Sequence, residues 1–267
     1  MRVIMFTMPT CMPAIFLGHG NPMNAITNNR YALAWQALAA KIPKPKAIIC
    51  VSAHWYIPAT MVTATQTLET IHDFGGFPEK LSNYEYPAQG SVQLAKDVQK
   101  LLGLKECGLD KRRGLDHGAW AVLCRMYPKA DIPVIQLSIN KREPPEYHYA
   151  LGKKLMVLRD EGVLFVGSGN VVHNLHAYAW GERKALAFEW GVRFESRVRE
   201  LFLSRQERKL IAYETLDPEA MLSVPTPDHY LPLLYIAGMR KKDEAVTFSL
   251  EGFDGGSISM LTVELGV

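Results

Sequence analysis

The sequence predicts an α/β fold with a mixed, largely parallel central sheet, helices on both faces and antiparallel strands toward the C-terminus. Short apolar runs such as "AIICV" at 47–51 lack polar alternation, which is typical of strands covered on both faces. Patterns with helical periodicity separate most of these runs, as in sheets built from strand–helix–strand units. The last two apolar runs, 245–251 and 257–264, follow each other directly, which indicates an antiparallel pair.

In the first half of the chain, residues that break regular structure bound each predicted element. The apolar run at 14–17 meets the loop sequence "GHGNP", and the helical spacing of apolar residues after Arg30 ends at Pro43. Ser91 is a favourable N-cap for the helix that follows it. The predicted elements are strands at 14–17, 47–51 and 60–65 and helices at 30–42, 91–102 and 118–127.

The second half alternates in the same way before the final strand pair. Gly162 is a plausible C-cap for the helix before it. Pro232 is expected to start or kink a later helix, because proline cannot continue the helical hydrogen-bond ladder. The predicted elements are strands at 132–139 and 163–170, helices at 145–160, 185–203 and 229–239, and the two closing strands.

Length, composition and charge narrow the class of protein. With 267 residues and 48% hydrophobic residues, the chain can bury a large core, and we expect residues 1–267 to form one domain. The net charge of +3 and the scattered basic residues do not indicate nucleic acid as a partner. No apolar run approaches the ~20 residues that span a bilayer, so no membrane partner is expected. Prolines interrupt residues 1–13, and the four cysteines form no C-x-x-C pair, so we expect a cytoplasmic protein with reduced thiols and no signal peptide.

Three histidines follow apolar strands at equivalent positions. His19 comes after the strand "AIFL", His54 after "AIICV", and His173 shortly after "VLFVGSGN". In a largely parallel sheet the carboxyl ends of the strands share one edge, where ligands bind. Neutral imidazoles are good ligands for zinc, copper, iron and nickel. One histidine after a strand is more often a hydrogen-bonded loop residue, but three at equivalent strand ends predict a metal site.

The remaining histidines are compatible with structural roles as well as functional ones. His117 opens an apolar helix and His229 opens an apolar run, so each could simply lie at a helix end. His72 precedes a loop rich in glycine and aromatic residues and could only cap a turn. His148 lies within a helical pattern and is expected on the protein surface.

The long loop at 72–87 has two interpretations that the sequence leaves open. Loops of this length inside a compact domain are often functional. Its aromatic side chains could wall a cavity for a planar ring, or they could pack among themselves as a compact Ω-loop. These side chains are Phe74, Phe77, Tyr84 and Tyr86.

Seven motifs, taken together, resemble one enzyme family. They are "MPAIFLGHGNPMNAI", "AIICVSAHW", "TIHDFGGFPEKL", "LDHGAWAVL", "IPVIQLSI", "GVLFVGSGNVVHNL" and "TPDHYLPLLY", in this order from about residue 12 to the C-terminus. The chain resembles the DOPA extradiol dioxygenases, a branch of the class III, protocatechuate 4,5-dioxygenase beta-subunit-like ring-cleavage enzymes. The resemblance implies a single catalytic domain that uses non-haem iron(II) and O2 to open a catechol ring, with L-DOPA or a similar substituted catechol as substrate and a ring-opened semialdehyde as product.

The resemblance also implies roles for individual residues. The metal ligands would be His19, His54 and His229. His173 matches the catalytic acid/base position and is expected close enough to the metal to act as a ligand when no substrate is bound. His117 matches a catalytic position that contacts substrate and oxygen. Further substrate contacts are expected from His72, Phe74 and Tyr230.

One position departs from the wider class III pattern, which uses two histidines and one carboxylate. Here the third ligand would be His229, and the neutral imidazole raises the net charge of the ligand shell by one unit. We expect this to favour a more anionic catecholate, whose second phenolic proton His173 removes.

Two alternatives remain open from the sequence. Three histidines with an open position also describe a zinc hydrolase, and zinc is expected to compete with iron for nitrogen donors. A non-enzymatic binding protein on the same scaffold is the other alternative. The expected partners are a small catechol and O2, and the expected state is a monomer or a small homo-oligomer.

Overall fold

The computed structural model describes residues 11–182 and 185–267. Segment 1–13, on which the expectation about a signal peptide depends, lies mostly outside these residues. The described strands are, in chain order, β1 (Ala14–Gly18), β2 (Ala47–Ile57), β3 (Met61–Thr63), β4 (Gly108–Asp110), β5 (Val134–Asn140), β6 (Val163–Gly169), β7 (Val246–Thr247), β8 (Phe253–Asp254), β9 (Ile258–Ser259) and β10 (Thr262–Leu265).

Helices connect most of these strands. The described α-helices are α1 (Arg30–Lys41), α2 (Glu79–Ser82), α3 (Val92–Leu102), α4 (His117–Met126), α5 (Pro145–Leu155), α6 (Glu189–Leu203), α7 (Glu207–Ile211), α8 (Ala220–Ser223) and α9 (Leu231–Gly238). Short 3-10 turns lie at Pro22–Ala25, Met156–Glu161, Tyr213–Thr215 and Pro227–His229. Within the described ranges, none of the helices has the length and apolarity needed to cross a bilayer.

An eight-stranded sheet with the order β4-β3-β5-β2-β6-β1-β10-β7 forms the centre of the fold. Strands β5, β2, β6 and β1 run parallel to one another. Strand β10 pairs with β1 in the antiparallel direction, with Ala14 opposite Leu265, and β7 pairs with β10 in the same manner. The predicted class, a largely parallel sheet with antiparallel strands near the C-terminus, is therefore confirmed.

Side chains of the central strands alternate between two apolar layers. Ile49 and Val51 of β2 belong to the layer formed with α3, α5, α6 and α9, whereas Ile48 and Cys50 belong to the layer formed with α1 and α4. All four side chains are buried, which explains why the run "IICV" shows no polar alternation. The predicted arrangement of helices on both faces follows from this burial.

Capping residues mark two of the predicted helix boundaries. The Ser91 hydroxyl accepts a hydrogen bond from the Leu94 backbone N–H at 3.2 Å, as expected for an N-cap. The helical segment that starts at Pro145 ends at Gly162, whose φ of 93° lies in the left-handed region that glycine adopts without a Cβ clash. The last turn before this glycine is a 3-10 turn rather than an α-helix.

Several predicted boundaries differ from the structure, and for two of them the contacts give the reason. Helix α6 starts at Glu189 instead of 185, because the Phe188 backbone N–H donates to the Gly256 carbonyl at 3.0 Å and holds the preceding chain extended. The predicted pair of closing strands is divided into β7, β8, β9 and β10. Positive φ values at Gly252 and Gly255 turn the chain between these short strands.

The prediction that His148 lies on the surface is wrong. Its side chain is fully buried where α5 packs against α9, and its Nδ1 lies 3.0 Å from the Tyr235 hydroxyl oxygen. The Tyr235 hydroxyl in turn donates to the Ser138 carbonyl. The helical pattern placed His148 on a helix correctly, but it could not show that α9 covers that face.

Candidate active site

Three of the predicted metal ligands lie together at the carboxyl edge of the sheet. His19 follows the end of β1, His54 lies in the last part of β2, and His229 ends the 3-10 turn before α9. One ligand atom from each lies within 4.8 Å of those of the other two. The Nε2 atoms of His19 and His54 are 3.2 Å apart. Side chains from distant parts of the sequence therefore form one cluster that can hold a metal ion.

The outer nitrogen of each imidazole in this cluster has a polar neighbour. Ser168 on β6 donates its hydroxyl hydrogen to the Gly118 carbonyl at 2.5 Å, so its oxygen can accept a hydrogen bond from His19 Nδ1 at 3.0 Å. His229 Nδ1 donates to the carboxylate of Asp228. His54 Nδ1 faces a carboxylate oxygen of Asp73, at 3.6 Å.

These outer contacts determine which nitrogen is free for a ligand. An imidazole that carries its hydrogen on Nδ1 has its lone pair on Nε2. His19 and His229 are held in this form by Ser168 and Asp228, so their Nε2 atoms are available to an ion. Metal-binding histidines almost always donate their other ring N–H to such a partner. The donor set therefore fits a divalent metal that accepts nitrogen ligands.

Burial keeps the imidazoles of this cluster neutral. Burial and the neighbouring His54 lower the pKa of His19 well below its usual range, and burial with His173 does the same to His229. Burial, reinforced by His117, lowers the pKa of His54 to about 4. Neutral imidazole is the form that binds metals, so the site is prepared for an ion near neutral pH.

His117 and Asp73 form a pair beside the three-histidine cluster. His117 is the first residue of α4, and both its Nδ1 and its backbone N–H donate to Asp73 Oδ1, at 2.8 and 3.1 Å. The His117 ring centroid is 3.9 Å from that of His54. Burial by itself would raise the pKa of Asp73, but the hydrogen bonds from His117 and the nearby imidazoles lower it to about 2. His54, Asp73 and His117 thus form a second group with metal-ligand spacing.

His173 lies against the cluster rather than within it. Its ring stacks on the His229 ring with a centroid distance of 3.5 Å and an interplanar angle of 4°. Its backbone N–H donates to the Ser223 carbonyl, and the residue bridges to Ile258 in the small β8–β9 sheet. Burial lowers the pKa of His173 to about 4. Within the described chain, His173 is outside the groups whose ligand atoms converge.

A cavity of about 210 Å³ opens above the imidazoles. Its floor contains the histidines, and much of its wall is apolar or aromatic. The lining residues are His19, Gly20, Asn21, Pro22, His54, Phe74, Phe77, His117, His173, Leu175, Tyr178, Trp180, His229 and Ile258. A small cavity with aromatic walls and a polar floor is suited to a planar ring that carries polar groups on one edge.

The two interpretations of the loop at 72–87 each describe part of it. Phe74 and Phe77 line the cavity, with ring centroids 5.3 Å apart. Tyr84 stacks on Trp120 instead, at 5.5 Å, and the Tyr86 hydroxyl donates to a backbone carbonyl away from the cavity. The first part of the loop therefore forms wall, and the second part packs against α4.

Two predicted substrate contacts do not line the cavity. His72 Nε2 donates to the Tyr84 carbonyl at 2.9 Å, so this side chain holds the loop together behind Phe74. Tyr230 is fully buried, and its hydroxyl donates to the Leu210 carbonyl at 3.1 Å. The position next to a predicted ligand in sequence placed Tyr230 near the site, but its side chain points into the packing around α7.

A buried carboxylate fixes the elements that carry His54 and His117. Asp116 caps α4 and accepts hydrogen bonds from the Ser52 hydroxyl at 2.6 Å and from Arg113 at 2.9 Å. The Arg113 guanidinium also lies over the Trp55 ring, 4.8 Å from its centroid. This network ties the end of β2 to the start of α4, so the two imidazoles keep a fixed relation.

Sequence reasoning did not identify Asp73, Ser168 or Asp116 as parts of the site. Asp116 carried a usable signal, because an aspartate directly before an apolar helix is a strong N-cap. Ser168 and Asp73 carried none, since their partners His19 and His117 are distant in sequence.

An imidazole cluster at the carboxyl edge of a largely parallel sheet, under an aromatic cavity, defines an α/β protein that can hold a metal ion and has room for a small aromatic ligand. Comparison with known proteins specifies this class further. The chain belongs to the family described as the catalytic LigB subunit of aromatic ring-opening dioxygenase, which matches residues 9–255. It is therefore a ring-cleaving dioxygenase, an oxidoreductase of a metal-dependent family that acts on small aromatic molecules.

Individual relatives agree with this assignment. The chain is 47% identical over 262 residues to a 4,5-DOPA dioxygenase extradiol of Escherichia coli, covering 96% of both chains. It is 37% identical over 252 residues to a 4,5-DOPA dioxygenase extradiol of Beta vulgaris, covering 91% of this chain and 92% of the relative. A crystal structure of an uncharacterized protein from Escherichia coli K12 superposes with a TM-score of 0.82 at 42% identity, covering 95% of this chain and 99% of the other.

Proposed function

We propose that residues 1–267 form a single catalytic domain that opens the ring of a catechol with O2 and iron(II), acting on L-DOPA or a similar substituted catechol. The observation that carries the proposal is the cluster of His19, His54 and His229 under an aromatic cavity. Similarity to two proteins named 4,5-DOPA dioxygenase extradiol supports the choice of substrate.

The three imidazoles would hold the metal through the ring nitrogens that do not face Ser168, Asp228 or Asp73. Ferrous iron in this position would supply binding sites for the catechol oxygens and for O2 and would allow electrons to pass between them. Zinc binds nitrogen donors more tightly than ferrous iron and is expected to occupy the site when iron is scarce.

The chain's own residues orient and enclose the substrate. Phe74 and Phe77 form an aromatic wall that would contact the catechol ring and exclude water from it. His173 and His117 line the same cavity, so both would face a catechol bound there and could exchange protons with it. Each imidazole offers a ring nitrogen that can accept or donate a proton, which is what acid and base steps require.

The nature of the third ligand bears on the ionisation of the substrate. The third ligand, His229, is a neutral imidazole, and the carboxylate of Asp228 contacts its Nδ1 from outside the ligand cluster. We therefore expect the bound catechol to lose both phenolic protons, with His173 accepting the second. Stopped-flow spectra of the anaerobic complex test this expectation, and a monoanionic bound catechol would contradict it.

Oxygen uptake with L-DOPA, measured on protein loaded anaerobically with iron(II), tests the proposed activity. We expect O2 consumption together with a yellow semialdehyde product. His54→Ala should remove metal content and turnover together, whereas the matched variant His176→Ala, which changes an exposed histidine outside the cavity, should retain both. Turnover by His54→Ala without metal would refute the proposed site.

A zinc hydrolase is the alternative that the same three histidines would allow, and membership of the ring-opening dioxygenase family disfavours it. Hydrolysis of esters or amides by the zinc-loaded protein, without O2 uptake by the iron-loaded protein, would favour this candidate. Tight catechol binding without turnover of either kind would instead indicate a binding protein.

A further inference from the structure

The carboxylate of Asp73 lies between two imidazoles that belong to different elements of the fold. Its Oδ1 accepts two hydrogen bonds from His117, one from Nδ1 and one from the backbone N–H. Its Oδ2 lies 3.6 Å from Nδ1 of His54. A single side chain therefore contacts a candidate metal ligand and a histidine that lines the substrate cavity.

These contacts determine the chemical form of His117. An ionised carboxylate only accepts hydrogen bonds, so the contact at 2.8 Å requires a hydrogen on His117 Nδ1. In the neutral ring, Nε2 then carries the lone pair and can accept a hydrogen bond or a proton from a bound ligand. The alternative tautomer would place two lone pairs against each other across this contact.

We propose that Asp73 is a positioning residue for the ring-opening reaction, which it serves by holding His117 with Nε2 free to accept a proton from a catechol hydroxyl. This inference rests on the proposed function. In the transfer, the O–H bond of the catechol breaks and an N–H bond forms on His117 Nε2, which leaves a catecholate and an imidazolium. The Asp73 carboxylate faces that imidazolium and stabilises its charge.

A second metal ion held by His54, Asp73 and His117 is the competing interpretation of the same spacing. The geometry disfavours it, because Oδ1 of Asp73 is already engaged by two N–H groups of His117. A carboxylate in that arrangement behaves as the outer partner of an imidazole. The two interpretations predict different metal stoichiometries.

Asp73→Asn tests the proposal because asparagine keeps the shape and an oxygen that can accept the His117 backbone N–H while the charge is removed. With 15N-labelled histidine in the zinc-loaded protein at fixed pH, we expect wild-type His117 to show the Nδ1–H tautomer. The variant should weaken this preference, because a neutral amide oxygen is a poorer acceptor for the Nδ1 hydrogen than a carboxylate oxygen. In the iron-loaded enzyme, kcat should fall by about 10² with KM within about threefold, following the effect of similar aspartate–histidine pairs.

Three further measurements separate positioning from general damage. Metal content should stay at one ion per chain in wild type and in Asp73→Asn, and the thermal midpoints should remain close. Asp73→Glu should recover part of kcat because it restores the charge. Asp131→Asn is the matched control, since this exposed aspartate pairs with Lys44 away from the site, and it should change none of these quantities.

Several outcomes would overturn the inference: an Nε2–H tautomer of His117 in wild type, an unchanged kcat in Asp73→Asn, or a second metal ion that the variant loses. An inactive wild type with the Nδ1–H tautomer, less populated in Asp73→Asn, would refute the proposed function and the reaction role of Asp73 together, while establishing that Asp73 sets the form of His117. An active wild type with normal Asp73→Asn kinetics would refute the role of Asp73 alone.

Discussion

Glu195 should make the stability of this protein depend on pH, and Glu195→Gln should remove that dependence. Glu195 lies on α6 with only 7% of its surface exposed, and it accepts a hydrogen bond from the Ser259 hydroxyl at 2.5 Å. Burial raises the pKa of Glu195 from 4.5 to about 7, although Ser259 and Arg199 oppose the shift. The folded protein therefore retains this proton at pH values where the unfolded chain has lost it.

The sign and size of the effect follow from that shift. Because the folded pKa is the higher one, the stabilisation is fully present below about pH 4.5 and is lost as the pH rises through about 7. A difference of about 2.5 pKa units at about 1.36 kcal/mol each gives an upper value of about 3 kcal/mol. Glutamine has nearly the same shape and no charge, so the variant should keep its stability at pH 8.

Urea unfolding of both proteins at pH 5 and pH 8 measures this difference. We expect the free energy of unfolding to fall by about 2–3 kcal/mol more in wild type than in Glu195→Gln between these two values. Equal pH dependence in the two proteins would refute the reasoning and would mean that the carboxyl is ionised, or solvated, in the folded state. Glu200→Gln on the exposed face of the same helix is the matched control.

Three other substitutions test the site and its supports. Ser168→Ala removes the acceptor for His19 Nδ1 and should weaken zinc binding by about 10- to 100-fold. Competition with a metal indicator measures the affinity, and an unchanged value would show that Ser168 does not orient His19. Gly118→Ala would place a Cβ 2.8 Å from Cδ2 of His54, so we expect lower metal occupancy, with the α-helical content measured by circular dichroism unchanged. Full metal occupancy would show that α4 can shift away from His54. Burial lowers the pKa of His148 to about 4, so its neutral ring adds to the free energy of unfolding above pH 6.5, and this contribution is lost as the pH falls through 4. His148→Phe should therefore make the free energy of unfolding less sensitive to acid. Parallel loss of unfolding free energy in both proteins between pH 6.5 and 4 would contradict this last expectation.

The elements of the fold were predictable where local chemistry decides them. The apolar run at 47–51, the cap at Ser91 and the stop at Gly162 each depend on neighbouring residues, and each appears in the structure where expected. The buried position of His148 and the late start of α6 depend on contacts with α9 and with Gly256, which no local pattern records.

The candidate site divides in the same way. The placement of His19 and His54 at strand ends could be inferred because parallel strands present their carboxyl ends at one edge. The hydrogen-bond partners of the site histidines could not be inferred, since the contacts of Ser168 with His19 and of Asp73 with His117 join residues far apart in the chain. Side-chain direction could not be inferred either. Tyr230 and His72 lie near the site in sequence, but their side chains turn away from the cavity, and their substrate contacts stay predictions.

The distance in sequence between His19 and His229 has a consequence for folding. An ion bound by both would clamp the first strand of the sheet to the turn before α9, so it could not stay bound once either segment detached. Free metal at 100 times its dissociation constant would then raise the free energy of unfolding by about 2.7 kcal/mol. Chelation should lower the melting temperature of the whole molecule, and cellular metal supply would thereby influence how long each copy survives proteolysis.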